Sequence, residues 1–460
     1  MLTSGVVAVT LSKLPIVASF DPLHHIGGNG PWFSAPNVFN IDAEPPTGCV
    51  VDQVAFVSRH GSRYPDPGAY NEWTATSAKS HAANFTTTSS ELNFLKTWQP
   101  ILRHPELELS QLSLGGYKEL YEMGVEYRYR YPSLYVENDP FVLWANWYNR
   151  YLFRVIDSAR LFARGYLGPN ATDVGTVYVV NASDSRAVAN SLAPSDLCPN
   201  YQNSGGGEHA TIWANTYLPP VVDRIDSLLH GLEFNTSDVS IFPYLCGFET
   251  QILGRRSPWC DVFTEEEILF YEYAQDIRYW YGTGLGTELE KNMMLPFLTS
   301  LVQRFVDGPN ATYSRANNST RFKPNPLIAV LSNDGQINQL AAAIGVFDGQ
   351  PDLPATNVLQ NRTFRASNFD TMRGTIGFER LSRGLSSAKE GTFLRVKLND
   401  AVYPVVGCDQ GPGRSCALRS YREIVERKSA ALGDFEVACG IGNSSVAPVG
   451  SKNIRVPTFD

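Results

Sequence analysis

An α/β fold with a helical lobe inserted in pieces is what this 460-residue sequence predicts, and three observations predict it. Val54-Ala55-Phe56-Val57 is a short apolar run that reads as a buried strand. Further sheet-like runs return at Gly175-Thr176-Val177-Tyr178-Val179-Val180, from Pro326 to Leu331 and from Thr392 to Leu398. Between them lie long amphipathic blocks, one from Ser77 to Tyr148 rich in Tyr, Trp and Leu, another from about Trp213 to Phe305. Strands separated by helical stretches of this length are the pattern of helices packed on a sheet.

Taken in order, Met1 to Phe20 is mildly apolar but interrupted by Lys13 and Pro15 and preceded by no basic residue, so it reads as a retained arm and not as a signal peptide. Such an arm can pack on a neighbouring subunit, which makes a homo-oligomer the expected assembly. The run 54–57 follows, then the first cap block with its Ser/Thr-rich connection near Thr86 to Ser90. Arg154 opens a helix whose apolar positions Val155, Ala159, Phe162, Ala163 and Tyr166 share one face. In the second block Glu265-Glu266-Glu267 marks a helix start, where negative charge suits the dipole. A helical run from Ile337 to Ile344 succeeds the strand-like Leu327 to Leu331. No internal repeat is present, and Gly282-Thr283-Gly284-Leu285-Gly286 has the wrong spacing for a dinucleotide loop.

Composition narrows the function. Hydrophobic residues at 43% and charged residues at 18% exclude a disordered or coiled-coil chain, and no uncharged apolar run approaches membrane-spanning length. A net charge of -8 without a Lys/Arg cluster on any helix face excludes a nucleic-acid footprint. His, Cys and Asp nowhere take metal-ligand spacing, so neither metal nor cofactor is expected. Asn84, Asn170, Asn181, Asn235, Asn310, Asn317, Asn318, Asn361 and Asn443 each head an N-x-S/T triplet, which points to glycosylation on the secretory route.

The chemistry gathers in Arg59-His60-Gly61-Ser62-Arg63, followed by Tyr64-Pro65, directly after the first strand-like run. Each guanidinium is a planar fork that matches phosphate oxygens, and an imidazole between two of them can attack phosphorus with its free nitrogen. This stretch resembles the RHGxRxP signature of the histidine acid phosphatases, the branch that includes fungal phytases and broad-specificity acid phosphatases. Gly27-Gly28-Asn29-Gly30-Pro31 is similar to the GGNGP entry segment of the fungal enzymes, and the resemblance runs on to about Cys439. It implies a mostly parallel central sheet flanked by helices with an inserted α-helical cap. The expected division is an arm at 1–26, an α/β domain from 27–76, 149–212 and 325–460, and a cap from 77–148 and 213–324.

The same resemblance implies roles. His60 is the expected nucleophile, Arg59, Arg63 and Arg154 the phosphate cradle, and Asp334 the acid that protonates the leaving group. Arg154 is assigned because Arg154-Val155-Ile156-Asp157-Ser158-Ala159 is similar to the family segment carrying its third phosphate-binding arginine; taken alone it reads as a solvated helix residue. Asp334 taken alone reads better as an ordinary helix cap. The chain departs from the family at Ser332-Asn333-Asp334, where Asn333 replaces the histidine of the HD motif, and no histidine lies beyond His230. Asn333 is therefore a neutral donor in the expected substrate site.

The seven cysteines leave at least one unpaired. Cys408 and Cys416 enclose a turn-rich loop that can bring two sulfurs together, and Cys246 and Cys260 bracket a short excursion. By resemblance these are two bridges and Cys198 with Cys439 a third. Cys49 is left over, because Arg383 stands where a cysteine would close an ERLSC-like segment.

The expected activity is a secreted, fungal-type acid phosphatase hydrolysing phosphomonoesters through a phosphohistidine, weakened at Asn333. The competing expectation is the same fold repurposed for a non-phosphate small organic molecule. Asp66 to Trp73, with acidic and aromatic side chains, tilts the substrate away from a polyphosphorylated inositol unless that segment is a solvated loop remote from the pocket.

Overall fold

The structure is a computed structural model and describes residues 20–147, 153–181, 192–314, 321–384 and 391–441. In chain order the strands are β1 Cys49–Arg59, β2 Thr86–Thr87, β3 Phe141–Trp147, β4 Gly175–Asn181, β5 Leu229–His230 and β6 Tyr313–Ser314. They continue as β7 Arg321–Phe322, β8 Leu327–Ser332, β9 Thr375–Arg383, β10 Thr392–Leu398, β11 Ala401–Tyr403 and β12 Cys416–Ala417. The main sheet has the order β11-β10-β9-β1-β8-β3-β4, with β12 paired to β10. Its centre is parallel, β1 with β8 and β8 with β3 and β3 with β4, while β9 to β12 form an antiparallel wing.

Both faces of β1 are buried, as its unbroken apolar run requires. Val54 and Phe56 pack with the helices Leu114–Arg130 and Arg154–Leu167, whereas Ala55 and Val57 join the larger core on the opposite face. Those two helices approach closely because Gly124 and Gly165 meet at their crossing. A Cβ on Gly124 would stand 2.3 Å from the Phe162 carbonyl oxygen, and one on Gly165 would stand 2.0 Å from that of Tyr121. The opposite face is covered by Leu295–Asp307, Asp334–Ala343 and Leu418–Leu432, and the larger core runs on without a break into the helices Gly207–Ser227, Phe242–Leu253 and Glu265–Thr283.

The expected division differs from this arrangement in two places, and one strand was not expected. Within 77–148, expected as cap, Phe141–Trp147 is a central strand of the sheet and Leu114–Arg130 packs on it. The aromatic density of this stretch reads as helix, but the short run after Pro140 pairs on both edges. The helix Gly207–Ser227 starts inside 149–212, expected as α/β domain. The antiparallel wing adds Thr375–Arg383, a strand the apolar runs did not announce because Glu379 and Arg380 interrupt it. Arg395 and Glu379, both buried, pair across β9 and β10, which is how the wing tolerates charge. Of the arm, 1–19 lies outside the described residues.

Candidate active site

Because β1 and β8 are parallel neighbours in register, with Arg59 opposite Ser332, their carboxyl ends open at the same level. Loops that leave adjacent parallel strands at this edge are where α/β sheets place ligands. His60 follows the end of β1 and donates its backbone N–H to the Ser332 carbonyl at 3.1 Å, while Asn333 and Asp334 follow the end of β8. One backbone hydrogen bond thus brings the two sequence motifs together.

His60 is 1% exposed. Its Nδ1 lies 2.8 Å from the Gly61 carbonyl oxygen, which can only accept, so Nδ1 carries the proton and Nε2 keeps its lone pair. Burial first, then the positive charges of Arg154, Arg59 and Arg63, push the imidazole well below its ordinary range and keep it neutral in acid. The loop after His60 is held from below. Gly61 N–H donates to Ser158 Oγ (3.1 Å), which itself donates to the Arg154 carbonyl (2.6 Å), and Ser62 donates through both N–H and Oγ to Glu119 (2.7 Å each).

The three expected cradle arginines converge here. Arg59, 3% exposed, spends Nη1 on the carbonyls of Gly28 (2.6 Å) and Asp370 (2.9 Å). Arg63 is bound by Asp66 at 2.8 Å and the Tyr64 carbonyl at 2.9 Å, and lies over the Phe248 ring. Arg154, the first residue of its helix, reaches the Ser110 carbonyl at 3.5 Å. The Nε–H groups of all three are buried with no acceptor among the described residues. The charges of all three act on His60, and a cluster of guanidinium groups around one imidazole fits an anion with several acceptor oxygens. Burial, with Arg63 nearby, lowers the Arg154 guanidinium to about 10.

Across the cleft, Asp334 receives Arg59 Nη2 and Tyr279 Oη at one oxygen, each at 3.4 Å. Burial by itself would raise this carboxyl, but Arg59, with Arg278 and Arg63, outweighs it and holds Asp334 below the usual carboxylate range. Asn333 occupies the cap position of the helix Asp334–Ala343 and makes no side-chain cap bond, so its amide is uncommitted to the helix end. An electrophile seated among the arginines would face a neutral nucleophilic nitrogen and a carboxyl group.

Several participants were not announced by motifs. Arg278 and Tyr279 come from the helix Glu265–Thr283 and act on Asp334 from the cap side. Gly28 lets the entry segment pass beneath them, since a Cβ there would stand 2.1 Å from Tyr279 Oη. Asp370, fully buried beside Arg59, has no hydrogen-bond partner for either carboxyl oxygen among the described residues, and burial pushes it well above its usual range. Asp66 sits at the arginines and is not a remote loop residue. Arg278, Tyr279 and Asp370 meet the site across long sequence separations, which carry no local signal, so motif reading does not find them.

Elsewhere, disulfides join Cys198 to Cys439, Cys246 to Cys260 and Cys408 to Cys416, and Cys49 is free. Cys49 lies opposite Arg383 in the β1–β9 ladder. Among the described residues no helix is long and apolar enough to cross a membrane.

Comparison with known proteins places this geometry. The phytase PHO112 of Candida albicans is 27% identical over 435 residues, covering 93% of this chain and 89% of that protein. The acid phosphatase PHO1 of Komagataella pastoris is 28% identical over 441 residues, covering 94% and 89%. The crystal structure of the phytase from D. castellii superposes with a TM-score of 0.81 at 25% identity, covering 94% of this chain and 92% of that one. A family model matches residues 50–399, and with the strand-end histidine and its arginines in place the chain belongs to the histidine phosphatase superfamily (branch 2).

Proposed function

We propose that this protein hydrolyses phosphomonoesters by two phosphoryl transfers through His60. The observation that carries the reading is the buried imidazole of His60 at the strand end, its Nδ1 tied to the Gly61 carbonyl and the charges of Arg59, Arg63 and Arg154 converging on it. In the first transfer His60 Nε2 bonds to phosphorus as the ester P–O bond breaks, and the departing alkoxide takes its proton from Asp334. In the second, Asp334 takes a proton from water as the water oxygen attacks phosphorus; the P–N bond breaks and inorganic phosphate leaves. Arg59, Arg63 and Arg154 hold the equatorial oxygens throughout. Hydrolysis of an aryl phosphate across the acid range tests this, with acid quench to trap the phosphohistidine. Full activity in His60→Ala would end the reading.

Asn333 favours a second reading, a pocket turned to a non-phosphate organic molecule, since one missing preorganised donor costs about 100- to 1000-fold in turnover. Retention of the nucleophile, the acid and all three arginines weighs for hydrolysis, slowed at this position. The related acid phosphatases and phytases, together with three disulfides, support a fungal-type secreted protein. Asn84, Asn235, Asn310 and Asn361 are exposed and Asn170 is half-buried, which supports glycosylation at the surface. The side chain of Asn181, and Asn317, Asn318 and Asn443, lie outside the described residues. Assembly through the arm remains a proposal of the sequence alone.

A further inference from the structure

Within the cradle one side chain has the wrong sign for an anion site. Asp66 directly follows the signature, three positions after Arg63, and its Oδ2 pairs with Arg63 Nη2 at 2.8 Å while its Oδ1 accepts from Ser110 Oγ at 2.7 Å. The Ser110 carbonyl in turn meets Arg154 Nη1 at 3.5 Å, so Asp66 and Ser110 together bridge two of the three arginines. Ser110 holds this post with a left-handed backbone, φ 64°, and its N–H is tied to the Pro65 carbonyl at 2.9 Å. A non-glycine residue in that conformation is strained, and the surrounding contacts hold it there. The Asp66 side chain is nevertheless 48% exposed, so its charge faces whatever enters.

Burial would raise the Asp66 carboxyl, but Arg63, the Ser110 hydroxyl and Arg154 outweigh it and keep it ionised in acid. The other side of the Arg63 guanidinium is covered by the buried Phe248 ring, 5.5 Å away. A phosphoryl group must therefore share Arg63 with a resident carboxylate, which an uncharged organic group does not oppose. Each further negative charge on a ligand meets the same repulsion.

We infer that Asp66 is a charge-selecting residue, which restricts the cleft to esters bearing one phosphate on an uncharged organic group and disfavours polyanions. This rests on the phosphomonoester reading above. Asp66 is a specificity residue at the rim of the cradle, with no part in bond making.

Calorimetric binding to the full chain, to Asp66→Asn and to Asp66→Ala tests it, using inorganic phosphate and inositol hexasulfate, a polyanion with no ester phosphate to hydrolyse. Charge selection predicts that both variants bind hexasulfate about 10-fold or more tightly than wild type, while phosphate gains only about 2- to 3-fold. The salt dependence for hexasulfate should also steepen. A carboxylate that only positions Arg63 would behave otherwise: Asp66→Ala would weaken both anions equally and Asp66→Asn would rescue them. That result, or an unmoved preference between the two anions, overturns the inference. Aryl phosphate turnover with an unmoved preference sinks this inference alone. Absent turnover with a shifted preference sinks the hydrolytic reading alone, and no binding of either anion to any of the three proteins sinks both.

Discussion

The leaving-group role proposed for Asp334 needs a source for its proton, because the carboxyl is held down in the free protein. Arg59, Arg278 and Arg63 hold the Asp334 carboxyl down against the effect of burial. An ester monoanion brings one proton with it, and as its charge offsets the arginines the Asp334 carboxyl rises and can accept that proton. The second pKa of a phosphate ester is about 6. We therefore expect kcat/KM to fall about tenfold per pH unit above roughly 6. The limb should move to lower pH for an aryl phosphate with electron-withdrawing substituents, because it belongs to the substrate. A limb fixed in pH across such a series would contradict this. Asn333→His restores a donor and a potential positive charge, so turnover should rise on the order of 10- to 1000-fold. No gain, with the fold intact by circular dichroism, would favour the repurposed pocket. At this scale the motif residues were legible because their types and order encode their chemistry. Asp66, Arg278 and Tyr279 were not, because each acts across a tertiary contact or, for Asp66, through a charge that reads equally as a solvated turn.

Elements set which pairs of residues can meet. The register of β1 with β9 puts Cys49 opposite Arg383, so the absent bridge of the ERLSC-like segment is a cross-strand pair at the end of the ladder. Directly opposed residues in antiparallel strands have Cα atoms about 4.5–5.5 Å apart, within the range a disulfide spans. Arg383→Cys should accordingly consume the free thiol of Cys49, seen as loss of alkylation under denaturing, non-reducing conditions. It should also raise stability by about 2–4 kcal/mol in denaturant unfolding. Continued labelling of Cys49 in the variant would show that the ladder does not hold these positions together. β1, β4, β8 and β10 were legible from their apolar runs. β9 was not, since its buried Glu379 is satisfied across the sheet by Arg395 of β10, which no single strand shows. β3 was hidden by aromatic residues that fit a helix equally well.

For the molecule as a whole, the question is what holds the cap helix Glu265–Thr283, which carries Arg278 and Tyr279, at the end of the sheet. The alternation of strand runs and helical blocks foretold an α/β body with helical insertions, but not the clamp between them, which is built of charges. Arg362, 2% exposed, pairs through Nη2 with Glu272 (2.9 Å) and through Nε with Asp276 (2.5 Å), both on that helix. Arg365 adds a second cation to Glu272 at 2.6 Å, and the Ala366 N–H donates to Asp276 at 2.7 Å. The segment so fastened runs straight on to Asp370 and Arg373, whose backbone groups bind Arg59 and His60. The clamp therefore couples both walls of the cleft. Removing one partner of a buried ion network strands the others, so Arg362→Met should destabilise the protein by roughly 3–5 kcal/mol near neutral pH. The sign of its pH dependence follows from linkage. Burial already raises the Asp276 carboxyl to about 6 with Arg362 in place; in the variant it loses that cation and rises further above its unfolded value, while Glu272 keeps Arg365 and His25. Between those values the folded state binds more protons than the unfolded one, and stability falls as pH rises. The deficit of Arg362→Met against wild type, measured by denaturant unfolding, should thus shrink as pH is lowered through the raised value. A deficit that stayed constant or grew in acid would mean that Arg362 acts by packing alone, not by favouring the charged form of Asp276 at the seam.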